Sequence, residues 1–564
     1  MTNGMQKGLT SYGDDGFSLF LRRAFIKAMG YSDAALSRPI IGIVDTGSAY
    51  NACHATMPQL IEAVKRGVML AGGMPMPFPT ISIHESFAHP TSMFLRNLAA
   101  MDTEEMIRAQ PMDAVVMIGG CDKTVPAQLM AAASLDIPAI QLVTGPMLVG
   151  HYQGEVLGAC TDCRRFWGRH RAGEFSEAEM DVINGRLAPT AGTCMVMGTA
   201  STMACIAEAL GMALPGSAAI PAVNADRLRA AEQAGHEAVA AITGGRAPSD
   251  ILTRSAFHNA QVVLQAIGGS TNGLIHLWAI AGRRGIKLDL DEYDRLGRDV
   301  PVLVDLKPTG DHYMEHFHEA GGMPRLLREL APWLDTTART MAGNTIADVI
   351  AAAEEVPGQT VIRGADNPVY PVGGMAVLRG NLAPRGAVIK HGAATPALLQ
   401  HTGRAIVFDG TADMAARIDD DALDVAADDV LVLRYAGPVG APGMPEAGYL
   451  PIPRKLARAG VKDMVRISDA RMSGTAFGTI VLHITPEAQA GGPLALVETG
   501  DQITLDLAGR RIELLVDPAE LERRRALWTA PALPAGSGRG YLKLYLDHVL
   551  QADEGCDFDF LQPG

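Results

Sequence analysis

Apolar positions along the first part of the chain follow two alternating rhythms. Residues 17–29, FSLFLRRAFIKAM, repeat at helical spacing, and Gly30 follows as a stop. Pro39–Thr46 (PIIGIVDT) is a short unbroken apolar run, which predicts a buried strand. A helix is expected around MPQLIEAVKRGVMLAGG, and Thr80–Ser86 (TISIHES) reads as a second strand. Asp113–Gly120 (DAVVMIGG) reads as the next, followed by a helix over VPAQLMAAASL and a strand over Pro138–Gly145 (PAIQLVTG). Strands alternating with helices predict βαβ units and a parallel sheet. In open sheets of this kind, ligands gather beyond the carboxyl ends of the strands.

The pattern then changes. Cys194–Gly216 (CMVMGTASTMACIAEALGMALPG) is the most apolar long stretch, but Glu208 and several Ser and Thr make it a buried helix rather than a membrane span. Cys194 would lie early in that helix, with Thr190 or Thr193 placed to cap it. Asp226–Ile350 reads as helical with a glycine break at AIGGSTNG (Ala266–Gly273). From about residue 360 the text becomes short, strand-like and glycine-rich, as in AVLRGNLAPRGAVIK, GRAIVFDG and DVLVLRYAGPVG. The expectation is an α/β fold: an N-terminal parallel-sheet domain over 1–365 and a mostly β, barrel-like domain over 366–564.

Composition narrows the function. The 564 residues correspond to roughly three or four average domains. With 48% hydrophobic and 20% charged residues the chain can bury sizeable cores and is not disordered. A net charge of −14 argues against nucleic acid as a partner. The opening MTNGMQKGLTSYGDDG has no basic start leading into an apolar core, so no signal peptide is expected. Seven cysteines, an odd and scattered set, do not form a disulfide framework, and a reducing cytoplasm fits them best.

Three polar clusters fall at strand ends: Cys53, Glu85, and Cys121-Asp122-Lys123. Neighbours in extended chain point to opposite sides, so the last cluster is able to face two ligands at once. Cys160 and Cys163 (CTDC) form a lone CxxC with no second copy, which favours two ordinary thiols. Cys194 and Cys205, if on one helix, lie roughly 16 Å apart along its axis, and Cys205 is the better structural candidate. Cys53, Cys121 and Cys194 suit an iron–sulfur cluster better than a zinc knuckle. Three buried structural cysteines is the reading that the residues alone favour. Glu85, Asp122 and Glu446 suit Mg²⁺, against capping and solvated loops. Lys123 reads as a salt-bridge partner, and Ser473 in SDARMSGTAFG reads as the cap of a turn, without a hydrolase pattern around it. His54, His84 and His89 lie near these positions and receive no role.

Taken in order, GGCDKT, TAGTCMVMGTASTM, AIGGSTNGLIHL, KPTGDHYMEHFHEAGG, GAPGMPE and SDARMSGTAFG resemble one family over nearly the whole chain. This is the family of iron–sulfur dehydratases acting on dihydroxy acids, sugar acids and 6-phosphogluconate. The resemblance implies a larger α/β domain and a barrel-like domain with the active site between them. It implies a [2Fe–2S] cluster on Cys53, Cys121 and Cys194, and Mg²⁺ held by Glu85, Asp122, carbamylated Lys123 and Glu446. It implies Ser473 as the base that removes the C2 proton, and a homodimer or homotetramer. The wording of GTCMVMGTASTM and ARMSGT is closer to the sugar-acid (L-arabinonate, D-xylonate) branch, with no obvious phosphate site. A dihydroxy-acid activity of branched-chain amino-acid synthesis is the alternative. A non-catalytic metal-binding relative and an α/β metallohydrolase remain open as different classes.

Overall fold

The computed structural model describes residues 4–563; the expectation for the opening segment begins in residues 1–3, which lie outside the described residues. The first unit is built on four parallel strands: β1 (Ile40–Asp45), β2 (Met74–Pro79), β3 (Ala114–Gly119) and β4 (Ala139–Val143). Their order across the sheet is β2-β1-β3-β4. Every residue of β3 and β4 is buried, which accounts for their continuous apolar text. The helices Met57–Leu70, Ser92–Ala109, Thr124–Ser134 and Ala225–Thr243 pack around the sheet, and Arg254–Ala266 and Thr271–Arg283 extend the same core. Because β2 and β3 lie on opposite sides of β1, the chain reverses its winding between β1 and β3, and a crevice opens there beyond the strand ends. The helix over 17–29 forms as Asp15–Ala28, and Gly30 takes the left-handed φ of 89° that ends it.

Two sequence expectations fail here. Thr80–Ser86 is not a strand; the strand is the preceding Met74–Pro79, MPMPFP. Its prolines alternate, at 75, 77 and 79, so their hydrogen-less nitrogens all face the open edge. The intervening N–H groups face β1; Met74 donates to Pro39 O at 2.8 Å, and Thr80, just beyond the strand, to Asp45 O at 3.0 Å. In TISIHES the backbone is taken by side chains instead: Ile81 N–H donates to Asp102 (2.8 Å) and Ile83 O accepts from Asn51 (3.0 Å). The second failure concerns Cys194. The helix runs only over Thr199–Ala209 with Gly198 at its N-cap, and Cys194 lies in an irregular segment before it. That segment is held in place by tertiary bonds: Thr193 N–H to Gly145 O (2.9 Å), Met147 N–H to Thr193 O (2.9 Å) and Met197 N–H to Lys307 O (2.9 Å). Thr190 caps nothing in that helix and accepts from Leu148 N–H at 3.1 Å.

Two short strands, β5 (Gly150–Tyr152) and β6 (Glu155–Leu157), form a separate hairpin. The second unit is a closed eight-stranded barrel. Its strands are β7 (Ala376–Gly380), β8 (Ala383–Ile389), β9 (Gln400–Asp409), β10 (Val430–Arg434), β11 (Arg466–Ser468), β12 (Ile480–Thr485), β13 (Gln502–Asp506) and β14 (Arg511–Leu514), in the order β10-β11-β12-β8-β7-β14-β13-β9. Closure leaves no free strand edge. Among the described residues no helix is long and apolar enough to cross a membrane.

After the barrel the chain returns to the first unit. Tyr541 and Tyr545, on the helix Gly540–His548, pack edge-on against Phe94, and Arg283 makes a two-pronged ion pair with Asp557 (2.5 and 3.0 Å) with both side chains fully buried. Removing one partner of such a pair strands a charge in the interior. Asp557→Ala is therefore expected to lower unfolding stability by about 3–5 kcal/mol in denaturant titration. A change below about 1 kcal/mol, the range of an exposed pair, would refute this account of the C-terminal anchor.

Candidate active site

The site gathers where β1 and β3 end. Asn51 caps a short helical turn, Ala52–His54, that presents Cys53. His54 then reaches across the crevice. Its Nδ1 lies 2.8 Å from Thr46 O, which only accepts, so Nδ1 carries the proton. Its Nε2 is left as an acceptor and takes the N–H of Gly120 at 2.9 Å. Burial pushes the His54 pKa down to about 4, so the ring is neutral at pH 7 as this geometry requires. The sequence assigned His54 no role; it fixes the loop after β3 onto the loop after β1. At Gly120 a Cβ would lie 1.9 Å from Thr144 Oγ1, so only glycine allows this approach.

Beyond Gly120 the chain turns rather than staying extended, with Thr124 N–H bonded to Cys121 O at 3.1 Å, and enters the helix Thr124–Ser134. The divergence of Cys121 from Asp122 therefore comes from a turn and not from strand pleating. Cys121 meets Cys53 and His84, whose ligand atoms all lie within 4.8 Å of one another. Asp122 meets Glu85 and Glu446 within the same limit. One peptide unit thus separates a thiol group from a carboxylate group. Contact with Cys121, and then burial, push the Cys53 thiol well up. Cys194 is pushed well up by contact with Cys160 and by burial; the two sulfurs lie 3.0 Å apart. The CTDC reading places Cys160 as an ordinary thiol; here it lies against Cys194, 34 residues on. Cys205 is fully buried in the apolar helix, as expected of a structural cysteine.

The carboxylates are crowded. Burial raises the pKa of Asp122 and of Glu446, and Glu85 adds repulsion to both. Burial also opposes ionisation of Glu85, but Lys123 and Arg471 outweigh it and hold its carboxyl well below the usual range. Lys123 is fully buried, with its Nζ 3.0 Å from Glu85 and 3.7 Å from Asp122, the salt bridge that the residues alone predict. Arg471 was quoted in a motif without a role. It is fully buried, donates to Glu446 (2.6 Å), Glu85 (3.1 Å) and Thr91 Oγ1 (2.7 Å), and so joins the barrel to the first unit. Three carboxylates against two cations leave one negative charge unmatched.

Ser473 lies on the loop after β11, two residues beyond Arg471. Its Oγ is 2.8 Å from Thr475 Oγ1. A Cβ on Gly474 would fall 2.4 Å from Ser270 Cβ, so this loop lies directly on the GGSTNG turn. Asn272 of that turn donates to Thr199 Oγ1 (3.0 Å), Met472 O (3.1 Å) and Glu446 (3.4 Å). Lys390, fully buried at the end of β8, donates to Gly474 O at 3.3 Å, and burial brings its pKa down to about 7. The donor chemistry fits both groups the resemblance implies: buried sulfur for an iron–sulfur cluster and clustered oxygen for Mg²⁺.

A crevice at the strand ends, lined by neighbouring thiol and carboxylate groups, is the place where α/β folds of this kind take their ligands. Residues 38–349 match the N-terminal part, and residues 360–556 the C-terminal part, of the dihydroxy-acid/6-phosphogluconate dehydratase family. The chain belongs to that family and is a dehydratase. It is 49% identical over 558 residues to the L-arabonate dehydratase of Azospirillum brasilense, covering 98% of this chain and 96% of the relative. It is 47% identical to the L-arabinonate dehydratase of Rhizobium leguminosarum bv. trifolii, covering 98% and 95%. The dihydroxy-acid dehydratase of Moorella thermoacetica is 41% identical, covering 95% and 97%.

His54 gives the site a pH signature. Its pKa is about 6.5 unfolded and about 4 folded, so the unfolded chain binds the proton first as pH falls. The His54 contribution is fully present above pH 6.5 and is lost progressively down to about pH 4. In His54→Gln this part of the dependence is expected to disappear, flattening stability between pH 6.5 and 4.5 by up to about 3 kcal/mol relative to the parent. Parallel stability curves for the two proteins across that window would exclude the neutral buried ring.

Proposed function

We propose that the protein removes water from a 2,3-dihydroxy sugar acid such as L-arabinonate or D-xylonate to give a 2-keto-3-deoxy acid. The observation that carries this reading is the single turn Cys121-Asp122, which divides a thiol set from a carboxylate set that Arg471, on the loop of Ser473, reaches. A [2Fe–2S] cluster on Cys53, Cys121 and Cys194, and Mg²⁺ on Glu85, Asp122, Lys123 and Glu446, would supply Lewis acidity for loss of the C3 hydroxide and for charge developing at C2. Sequence identity to the arabinonate enzymes above the level of the dihydroxy-acid relative supports a sugar acid.

The chain's own residues have the following tasks. Ser473 Oγ takes the C2 proton, the C3 hydroxide departs, and the resulting enol tautomerises to the keto acid. A serine hydroxyl is too weak a base unless its ionised form is favoured, and the buried Arg471 guanidinium, two residues before Ser473, supplies positive charge near that loop. Carbamylation of Lys123 by CO₂, with release of two protons from the ammonium, would replace one cation by an anion and raise the site's demand for a divalent metal. Neutral His54 holds the turn that carries Cys121 and Asp122. The helix Asp15–Ala28 leaves Phe17, Phe20 and Phe25 exposed, an apolar face that a second copy in a homodimer or homotetramer would cover.

Anaerobically purified protein with Mg²⁺ is expected to form keto acid faster from L-arabinonate or D-xylonate than from D-gluconate or 2,3-dihydroxyisovalerate. Preference for dihydroxyisovalerate would instead select the branched-chain reading, and no turnover of any acid the non-catalytic one. Ser473→Ala is expected to lose at least about 10²-fold in kcat, the usual range for a positioned proton acceptor, while keeping its metal content. Activity within a few-fold of the parent would remove Ser473 from the mechanism.

A further inference from the structure

Four thiols, not three, converge on the crevice, and they fall into two pairs. Cys53 and Cys121 lie within 4.8 Å of each other, and Cys160 and Cys194 are in direct contact at 3.0 Å. A [2Fe–2S] cluster takes two cysteine thiolates at each iron, besides its bridging sulfides, when cysteine alone holds it. The three-cysteine set pairs Cys53 with Cys121 and leaves Cys194 single. The fourth sulfur sits beside the one that lacks a companion.

Cys160 is held there by a dedicated turn. Its φ of 80° and ψ of −54° lie in a region that a non-glycine residue keeps only when the surroundings impose it. They do so from both sides. Asp162, fully buried, accepts from Gly158 N–H (2.8 Å) and from Tyr313 OH (2.9 Å), clamping the residues before and after Cys160. A Cβ on Gly158 would lie 2.3 Å from the Tyr313 ring. Thr161 Oγ1 donates to Thr475 O at 3.0 Å, so the same turn is tied to the loop of Ser473.

We propose that Cys160 is the fourth sulfur ligand of the cluster in the substrate-free protein, sharing an iron with Cys194; this rests on the cluster reading above. Dehydration then requires exchange at that iron. The Cys160 sulfur leaves with the electron pair it brought, the C3 hydroxyl oxygen of the substrate supplies the replacing pair, and the freed thiolate takes a proton from solvent. No electron is transferred. Cys160 is only partly buried, which gives the departing sulfur a place to go.

The test uses anaerobic, substrate-free holoprotein and Cys160→Ala, each analysed for iron and sulfide and by visible and, after reduction, electron paramagnetic resonance spectra. The variant is expected to keep the parent's iron and sulfide while its absorption bands and g values shift. Identical spectra at equal iron would overturn the proposal. Should the variant lose its cluster, the parent decides by iodoacetamide labelling read by mass spectrometry. Cys160 is expected to be protected with the cluster in place, as Cys194 is, and to be labelled after chelator treatment. Labelling of Cys160 in the loaded parent, with Cys194 protected, overturns it. Absence of iron and sulfide from the parent itself would instead remove the cluster reading, and this inference with it.

Discussion

The architecture depends on one buried guanidinium. Arg471, from the barrel, reaches Glu446 of its own unit and Glu85 and Thr91 of the first unit, and no part of its side chain meets solvent. Desolvating three carboxylates within one small volume is affordable only because such cations lie among them. The pairing sets the relation of the two units: if Arg471 is satisfied, Glu446 must stand beside Asp122, and the loop of Ser473 must lie on the GGSTNG turn. The returning C-terminal segment, locked by Arg283 and Asp557, secures the same arrangement, since Tyr545 Oη accepts from Gly443 N–H, three residues before Glu446.

A second constraint acts on the first unit alone. The winding reversal between β1 and β3 opens the crevice, and His54 spans it in the one tautomer that donates to Thr46 O and accepts from Gly120 N–H. A neutral, fully committed imidazole is a rigid strut. It lets a glycine pair end one strand and start a turn whose next two side chains serve different chemistry. Sulfur and oxygen ligands can then stand side by side without competing for one ion, because each set has its own side of the turn.

Much of the fold was legible in the residues. Unbroken apolar runs marked β1, β3 and β4 because a parallel sheet covered on both faces excludes water from every side chain. β2 was displaced by one segment, since alternating prolines read against a strand until the open edge is known. The apolar neighbours of Cys194 read as helix, but hydrogen bonds from Thr193 and Met197 to Gly145, Met147 and Lys307, all remote in sequence, hold the segment out of the helix. Of the site, the residue types at element ends pointed to Cys53, Glu85, Cys121, Asp122, Lys123, Cys194 and Glu446, and the ordered motifs added the role of Ser473. Arg471, His54 and Cys160 gave no usable signal, since a buried arginine, a bonded histidine and a thiol in contact are defined by partners up to several hundred positions away.

The sequence by itself determined the class: alternating strand and helix text, a later β-rich unit, and a set of motifs in fixed order that only one family of dehydratases carries. These are local properties, written in periodicity and in residue type. The tertiary structure decided which side chains meet. It set Cys160 against Cys194, Arg471 between two units, and Asp122 apart from Cys121 by a turn instead of a pleat. Such pairings depend on strand order and on loops crossing between units, and the spacing of residues along a chain does not encode the distance between them in space.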